Sequence, residues 1–159
     1  MPRFSLEPCD ETFFASAPYR YVDAMEIPQP AAKVWDALTA DGTLSWCKLL
    51  AGAEWTSPRP FGVGTTRRMK VGFGALVIDE RFFRWEEGTR KSFYVERASL
   101  PLFKQFGEDY LVEPLTPSSC RFTWTLAANP LPAARLGAPI NGLLAKSIFR
   151  DTRHHFKAR

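Results

Sequence analysis

At 159 residues, with 45% hydrophobic and 24% charged side chains, the chain has a globular composition and the length of about one domain, able to bury roughly 70% of its unfolded surface. These values exclude wholesale disorder, a coiled coil and a collagen-like fibre, and no apolar run approaches the roughly 18 residues that span a bilayer. A net charge of +4 is too mild to imply a nucleic-acid partner, although Arg150, Arg153, Lys157 and Arg159 gather at the C-terminus.

Residues 1–18 mix Pro, Ser and Ala with isolated Phe4, Phe13 and Phe14, follow neither the strand nor the helix period, and read as a loosely held arm ahead of a single domain over residues 19–159. Met1 to Asp10 lacks the apolar region of a secretory signal, which points to the cytosol. The first strand runs from Arg20 to Ile27 and is closed by Pro28. Pro30 then sits where a first helical turn accepts proline, and Val34, Trp35 and Leu38 recur at helical spacing until Asp41-Gly42. Thr43 to Leu50, with Leu44, Trp46, Leu49 and Leu50, predicts a second short helix packed beside the first and ended by Gly52.

From Ala53 the texture turns to aromatic and β-branched segments punctuated by Gly and Pro, which predict six more strands: Ala53 to Ser57, Gly64 to Val71, Ala75 to Trp85, Lys91 to Ala98, Lys104 to Glu113 and Cys120 to Ala128. Their short connections require antiparallel pairing, because parallel strands need long crossovers. After Asn129-Pro130, Leu136, Ile140, Leu143, Leu144, Ile148, Thr152 and Phe156 trace one stripe of a long helix that restarts at Pro139, with Pro132 to Leu136 a separate turn.

A curved seven-stranded sheet with one apolar face needs a cover, and only the terminal helix is long enough to supply it. With the small helix pair plugging one end, the inner surfaces cannot all touch, so an apolar cavity is expected between them. Aromatic residues at 14% of the chain exceed what filling a small core requires.

The order of elements is accompanied by local motifs: Met25-Glu26-Ile27-Pro28-Gln29-Pro30 running into Val34-Trp35-Asp36-Ala37-Leu38, then Trp46, then Gly62-Val63-Gly64-Thr65. Further on come Phe82-Phe83-Arg84-Trp85-Glu86-Glu87-Gly88, Tyr110-Leu111-Val112-Glu113-Pro114 with Thr123-Trp124, and the terminal helix. Together they resemble the SRPBCC superfamily, the helix-grip group of START lipid-transfer domains, birch-pollen-allergen-type proteins and the polyketide cyclase/dehydrase and lipid-transport family. The resemblance implies an α+β helix-grip fold, in which a seven-stranded curved antiparallel sheet wraps a long C-terminal helix, with two short helices after the first strand. It supplies no catalytic signature, since the family has no universal one.

Alternation assigns side chains to the cavity. Phe122, Trp124 and Leu126 share the apolar face of the last strand, which makes Trp124 a lining candidate. Phe106, Tyr110 and Val112 share a face with Glu108, so the apolar choice carries that carboxylate inward. There it would have a raised pKa unless paired; otherwise it lies at a rim, bridging to Arg97 or Lys104. In Ala75 to Trp85 both faces carry charge, and the family-like position of Phe82 favours Leu76, Ile78, Glu80 and Phe82 inside. Glu80 is then expected opposite Arg68, and Glu108 opposite Arg97, as polar anchors in an oily chamber. Trp46, Phe103, Ile140 and Leu144 complete the expected lining, and the Ser99 to Phe103 loop is a candidate gate. Tyr94 faces either solvent or the chamber.

Cys9, Cys47 and Cys120 are odd in number and widely spaced, which fits reduced thiols. His154 and His155 adjoin each other, whereas helical metal ligands need i, i+4 spacing, and the glycine turns Gly62-Val63-Gly64 and Gly72-Phe73-Gly74 match no phosphate loop; neither a metal nor another cofactor is expected. The leading functional expectation is a carrier or binder of a small hydrophobic ligand (a lipid, polyketide or aromatic compound), monomeric or homodimeric, with room for transient membrane contact. The alternative is a cyclase or dehydratase that moves a proton with Glu108, Glu80, Tyr94 or Tyr110. A third class is a protein-interaction module.

Overall fold

The computed structural model describes residues 3–159. Strand β1 (Phe4–Ser5) and helix α1 (Phe13–Ser16) precede β2 (Tyr19–Ile27), α2 (Ala31–Thr39) and six further strands. These are β3 (Leu50–Trp55), β4 (Thr66–Val71), β5 (Leu76–Glu86), β6 (Arg90–Ala98), β7 (Phe103–Thr116) and β8 (Ser119–Pro130). A 3₁₀ turn, Pro132–Gly137, leads into the long helix α3, Ala138–Phe156. The sheet runs in the order β2-β8-β7-β6-β5-β4-β3, every pair antiparallel, and its concave face holds α3.

Helix α2 has Pro30 at its N-cap, with an extended ψ of 145° that turns the chain out of the strand, and buries Val34, Trp35 and Leu38. Its C-terminal carbonyls are taken up by side chains: Lys91 Nζ donates to Leu38 O, Thr43 Oγ1 to Ala37 O and Trp55 Nε1 to Ala40 O. The segment read as a second helix, Thr43 to Leu50, bends without forming a regular one. It is a run of tight turns closed by Thr43 N to Ala40 O, Ser45 N to Gly42 O, Cys47 N to Leu44 O and Leu50 N to Cys47 O. Leu44 at φ +66° breaks propagation and inserts its side chain into the core. The two short helices ahead of the meander are therefore α1 and α2.

The restart at Pro139 and the separate turn before it are present. Helix α3 buries Ala145, Ile148, Phe149, Thr152 and Phe156 against the sheet, and Arg153 grips Asp23 of β2 through bonds of 2.7 and 2.6 Å. The stripe expected to be buried along its whole length is buried only in its C-terminal part. Leu136, Ile140 and Leu143 are 93%, 61% and 65% exposed.

Residues 3–18 differ from the loose arm expected of them; Met1 and Pro2 lie outside the described residues. Strands β6 and β7 pair only from Arg90↔Leu111 to Tyr94↔Gly107 and then part. The arm fills the seam: Phe4 pairs with Ala98, Leu6 N donates to Glu96 O, and Glu7 N donates to Lys104 O on the opposite strand. Cys9, Phe13, Phe14 and Ala127 then form a second small core on the outer face of the sheet, with Phe14 stacked on Phe83. Isolated aromatics without a period are what such docking uses, since they anchor irregular backbone onto an existing surface.

Burial pushes the Cys9 and Cys47 thiols up to about 12, and Asp10 adds to the effect at Cys9. Native protein at pH 8 is expected to react with an aromatic disulfide reagent at its buried thiols more than a hundredfold slower than free cysteine, and all three cysteines to react in denaturant. Rapid labelling of Cys9 in the native state would show the arm detached.

Candidate functional site

Between the sheet and α3 lies an apolar chamber of about 150 Å³, a volume that accepts a guest of about benzene size before any side chain moves. It is graded along its length. The half-buried lining residues Val71, Leu76, Leu102, Phe103, Asn141 and Leu144 mark the mouth, where the β4–β5 hairpin, the β6–β7 loop and the start of α3 meet. The fully buried ones mark a floor with four polar side chains: Arg67, Glu80, Glu108 and Tyr110.

At the floor Glu108 Oε1 accepts bonds from Trp124 Nε1 (2.7 Å) and from the Tyr110 hydroxyl (3.2 Å), while no donor among the described residues reaches Oε2. Burial, helped by the nearby Glu80 charge, pushes the Glu108 carboxyl up to about 7. Burial also pushes the Tyr110 hydroxyl well above its ordinary value.

Arg67 Nε donates to Glu80 Oε1 at 2.6 Å, and both side chains are almost fully shielded from solvent. Burial opposes the charge on Arg67, but the Glu80 carboxylate outweighs it and holds the guanidinium above its usual range; burial raises Glu80, with Arg67 pulling the other way. The guanidinium lies against the rings of Trp55, Phe93 and Phe82 at 5.1, 5.2 and 5.4 Å, and its Nη1 and Nη2 are buried with no acceptor. A buried charged donor left without an acceptor is costly.

Behind the floor Lys91 sits among Tyr110, Trp55, Phe82, Trp85 and Trp35, with Nζ 4.9 to 5.8 Å from the ring centres. Burial, then repulsion from Arg67, lowers its pKa well below the usual lysine value. Lys91 does not line the chamber, and its work is structural: it closes the end of α2.

The structure brings together at the chamber Ile78 and Glu80 from β5, Phe103, Phe106, Glu108 and Tyr110 from β7, Trp124 from β8 and Leu144 from α3. Other expected residues lie elsewhere. Arg68 pairs with Asp79 on the outer face (2.7 Å), because the register sets Arg67 opposite Glu80 and Arg68 opposite Asp79. Arg97 also faces outward, 3.8 Å from Asp79, so Glu108 has no arginine opposite it and takes neutral donors instead. Tyr94 is on the outer face, packed on Phe83 beside the arm. Phe82 is wholly buried one layer behind the floor, against Trp85 and Trp55.

Trp46 is outside the chamber: its Nε1 donates to Thr152 Oγ1 and its ring stacks on His155 at 4.1 Å, near the end of α3. Ile140 points to solvent, one helical position away from the lining residue Asn141. Of the candidate gate Ser99 to Phe103, Leu102 and Phe103 form part of the mouth. Arg67 and Leu6 were not anticipated as lining. Among the described residues no group of three or more His, Cys, Asp or Glu side chains converges as a metal-ligand set, and no helix is long and apolar enough to cross a membrane.

Comparison with known proteins agrees with this geometry. A START superfamily protein from Mycobacterium smegmatis superposes with a TM-score of 0.69 at 14% identity, over 87% of this chain and 97% of that one. The ginseng major latex-like protein 151 from Panax ginseng gives 0.63 at 14% identity, over 87% and 97%. At these identities the likeness establishes the fold alone. An uncharacterized protein from Mycobacterium tuberculosis is 32% identical over 160 aligned positions, covering 96% of this chain and 95% of that protein. The model of the family described as polyketide cyclase / dehydrase and lipid transport matches residues 20–159. With a helix-grip sheet closed on α3 and nearly the whole chain matched, the protein belongs to the polyketide cyclase/dehydrase and lipid transport family.

Proposed function

We propose that the protein binds and carries a small, mainly apolar molecule bearing one oxygen function, with the apolar body among Leu76, Leu102, Phe103 and Leu144 and the oxygen at the Glu108 and Arg67 floor. The carrying observation is the pairing of an apolar chamber with a buried polar end that has unused hydrogen-bonding capacity at Arg67 Nη1, Nη2 and Glu108 Oε2. Affinity comes from apolar burial, on the order of 25 cal/mol per Å² before ordering costs, and orientation from the floor.

Ala145 faces the chamber from α3 and is almost fully buried. Ala145→Phe is expected to fill the void and weaken binding of a small aromatic ketone at least tenfold while the protein remains folded, as read by calorimetric titration and circular dichroism. Native mass spectrometry of wild type as purified is expected to show a bound small molecule that the filled variant lacks. Unaltered ketone binding in a folded Ala145→Phe protein would falsify the chamber as the site.

A second reading is favoured by one observation: Glu108 combines an acidity near neutrality with an oxygen left open toward the chamber, the properties of a general acid or base. In that reading Glu108 takes a proton from the carbon next to a bound carbonyl and Arg67 steadies the oxygen. Solvent-deuterium exchange into a bound ketone, present in wild type and absent in Glu108→Gln at ketone concentrations that saturate each protein, separates turnover from carriage.

A further inference from the structure

Among the described residues, five of the nine exposed large hydrophobic side chains lie on the segments around the chamber mouth: Phe73 on the β4–β5 hairpin, Leu100 on the β6–β7 loop, Leu136 on the 3₁₀ turn, and Ile140 and Leu143 at the start of α3. Phe73 is 90% exposed at the hairpin tip with φ +59°, between Gly72 and Gly74, which also have positive φ. A bulky side chain in the left-handed region, presented to water, contributes nothing to folding and fits an external apolar partner. Leu136, Ile140 and Leu143 repeat this on a helical face.

Charge at this end is one-sided. No Asp or Glu occurs from Met69 to Ile78, from Arg97 to Gly107 or from Pro114 to Arg150, whereas Lys70, Arg135 and Lys146 are exposed on those segments and Lys104 meets only a distant Glu7 at 4.0 Å. At the opposite end of the sheet Val63 and Leu115 are, among the described residues, the two large apolar side chains exposed.

We propose that the mouth end docks on a bilayer surface carrying anionic lipid, with Phe73, Leu136, Ile140 and Leu143 in the boundary between headgroups and acyl chains and the cations against the phosphates. Apolar anchors among cations that outnumber the acids, of which Glu7 lies beside Lys104, match such a surface in both hydrophobicity and charge, and the chamber then opens toward the lipid. The proposal draws on the carriage reading for its use alone; docking is a property of the surface and is measured without any ligand.

The test is co-sedimentation of the whole protein with phosphatidylcholine vesicles, with and without phosphatidylglycerol. Binding is expected only when the anionic lipid is present, and to weaken several-fold from about 0.1 to 1 M salt, as the screening length falls from about 10 to 3 Å. Phe73→Ser/Leu143→Ser, both exposed and so without consequence for the core, is expected to lower partitioning roughly tenfold, and Val63→Ser/Leu115→Ser to leave it unchanged. No sedimentation with anionic vesicles overturns the proposal, as does an equal loss in the two double variants. A dimer dissolved by Phe73→Ser/Leu143→Ser without vesicle binding assigns the face to a second copy and overturns it too. Vesicle binding that survives Ala145→Phe, in a protein that no longer takes up the ketone, separates docking from carriage.

Discussion

Arg67→Met is expected to destabilise the protein by about 3–5 kcal/mol at pH 8, roughly 10 °C in melting temperature for a domain of this size, although it replaces a charge with an apolar side chain in an apolar surrounding. The reason is what stays behind. Glu80 is nearly inaccessible to solvent and its bond of 2.6 Å from Arg67 is its only hydrogen bond among the described residues, so the variant leaves a desolvated carboxylate. That carboxylate has an escape, which is to take a proton, and burial already biases it in that direction. The destabilisation by Arg67→Met should therefore shrink as pH falls toward 5.

Glu80→Leu is expected to be as damaging and to show no such relief, because the orphaned guanidinium keeps its proton at every accessible pH. It would also be left beside Lys91, whose ammonium Arg67 already disfavours. The double variant Arg67→Met/Glu80→Leu removes both charges, and its stability is expected to return to within about 1 kcal/mol of wild type or to exceed it. Urea melts of the four proteins at pH 5 and 8 give the coupling directly. Additive losses in the double variant would mean that the two residues contribute through packing alone, and the ion pair would cease to explain why they are buried.

That pair also marks how far the sequence could be read. The strands and α3 follow from alternation and helical spacing, and their predicted limits lie within a few residues of those found, because both patterns report burial on a regular backbone. Glu108 was legible for the same reason: Phe106, Tyr110 and Val112 fix the face it shares. Its partner was not, because pairing across a sheet depends on register. The β4–β5 turn centred on Phe73-Gly74 sets Arg67 opposite Glu80; a loop one residue longer sets Arg68 there, and the flanking glycines permit either. The arm was illegible in a deeper sense. Its docking depends on the β6–β7 seam, a gap created by strand divergence after Tyr94, and no local period in residues 3–18 encodes that. Helical periodicity likewise marked Leu136, Ile140 and Leu143 as apolar without saying whether the sheet or something outside the molecule covers them.

Glu108→Gln is expected to stabilise the protein, and by an amount that depends on pH. A carboxyl raised from an ordinary 4.5 to about 7 on folding binds its proton more tightly in the folded state, so its favourable contribution is complete below about pH 4.5 and is lost as pH rises through 7. At about 1.4 kcal/mol for each factor of ten in acidity, the loss comes to about 3–4 kcal/mol above pH 8. Glutamine has the same shape, keeps an oxygen for Trp124 Nε1 and the Tyr110 hydroxyl, and never ionises. The difference between variant and wild type is therefore expected near zero at pH 4.5 and about 3–4 kcal/mol in favour of the variant at pH 8.5, with the change centred between those values. Comparing two proteins that differ at one site largely cancels the titration of Glu80 and Lys91, which share the same interior. Melts run in parallel across the pH range with a constant offset would show that Glu108 ionises as a surface carboxyl does, and that the floor is wetter than its burial indicates. If the expected divergence is found, the acid is kept at a cost to stability, and the same variant should bind an aromatic ketone differently from wild type, since the group exchanged is the one whose Oε2 is free to meet it. A variant more stable at pH 8.5 and unchanged in ketone binding would place the guest away from the floor.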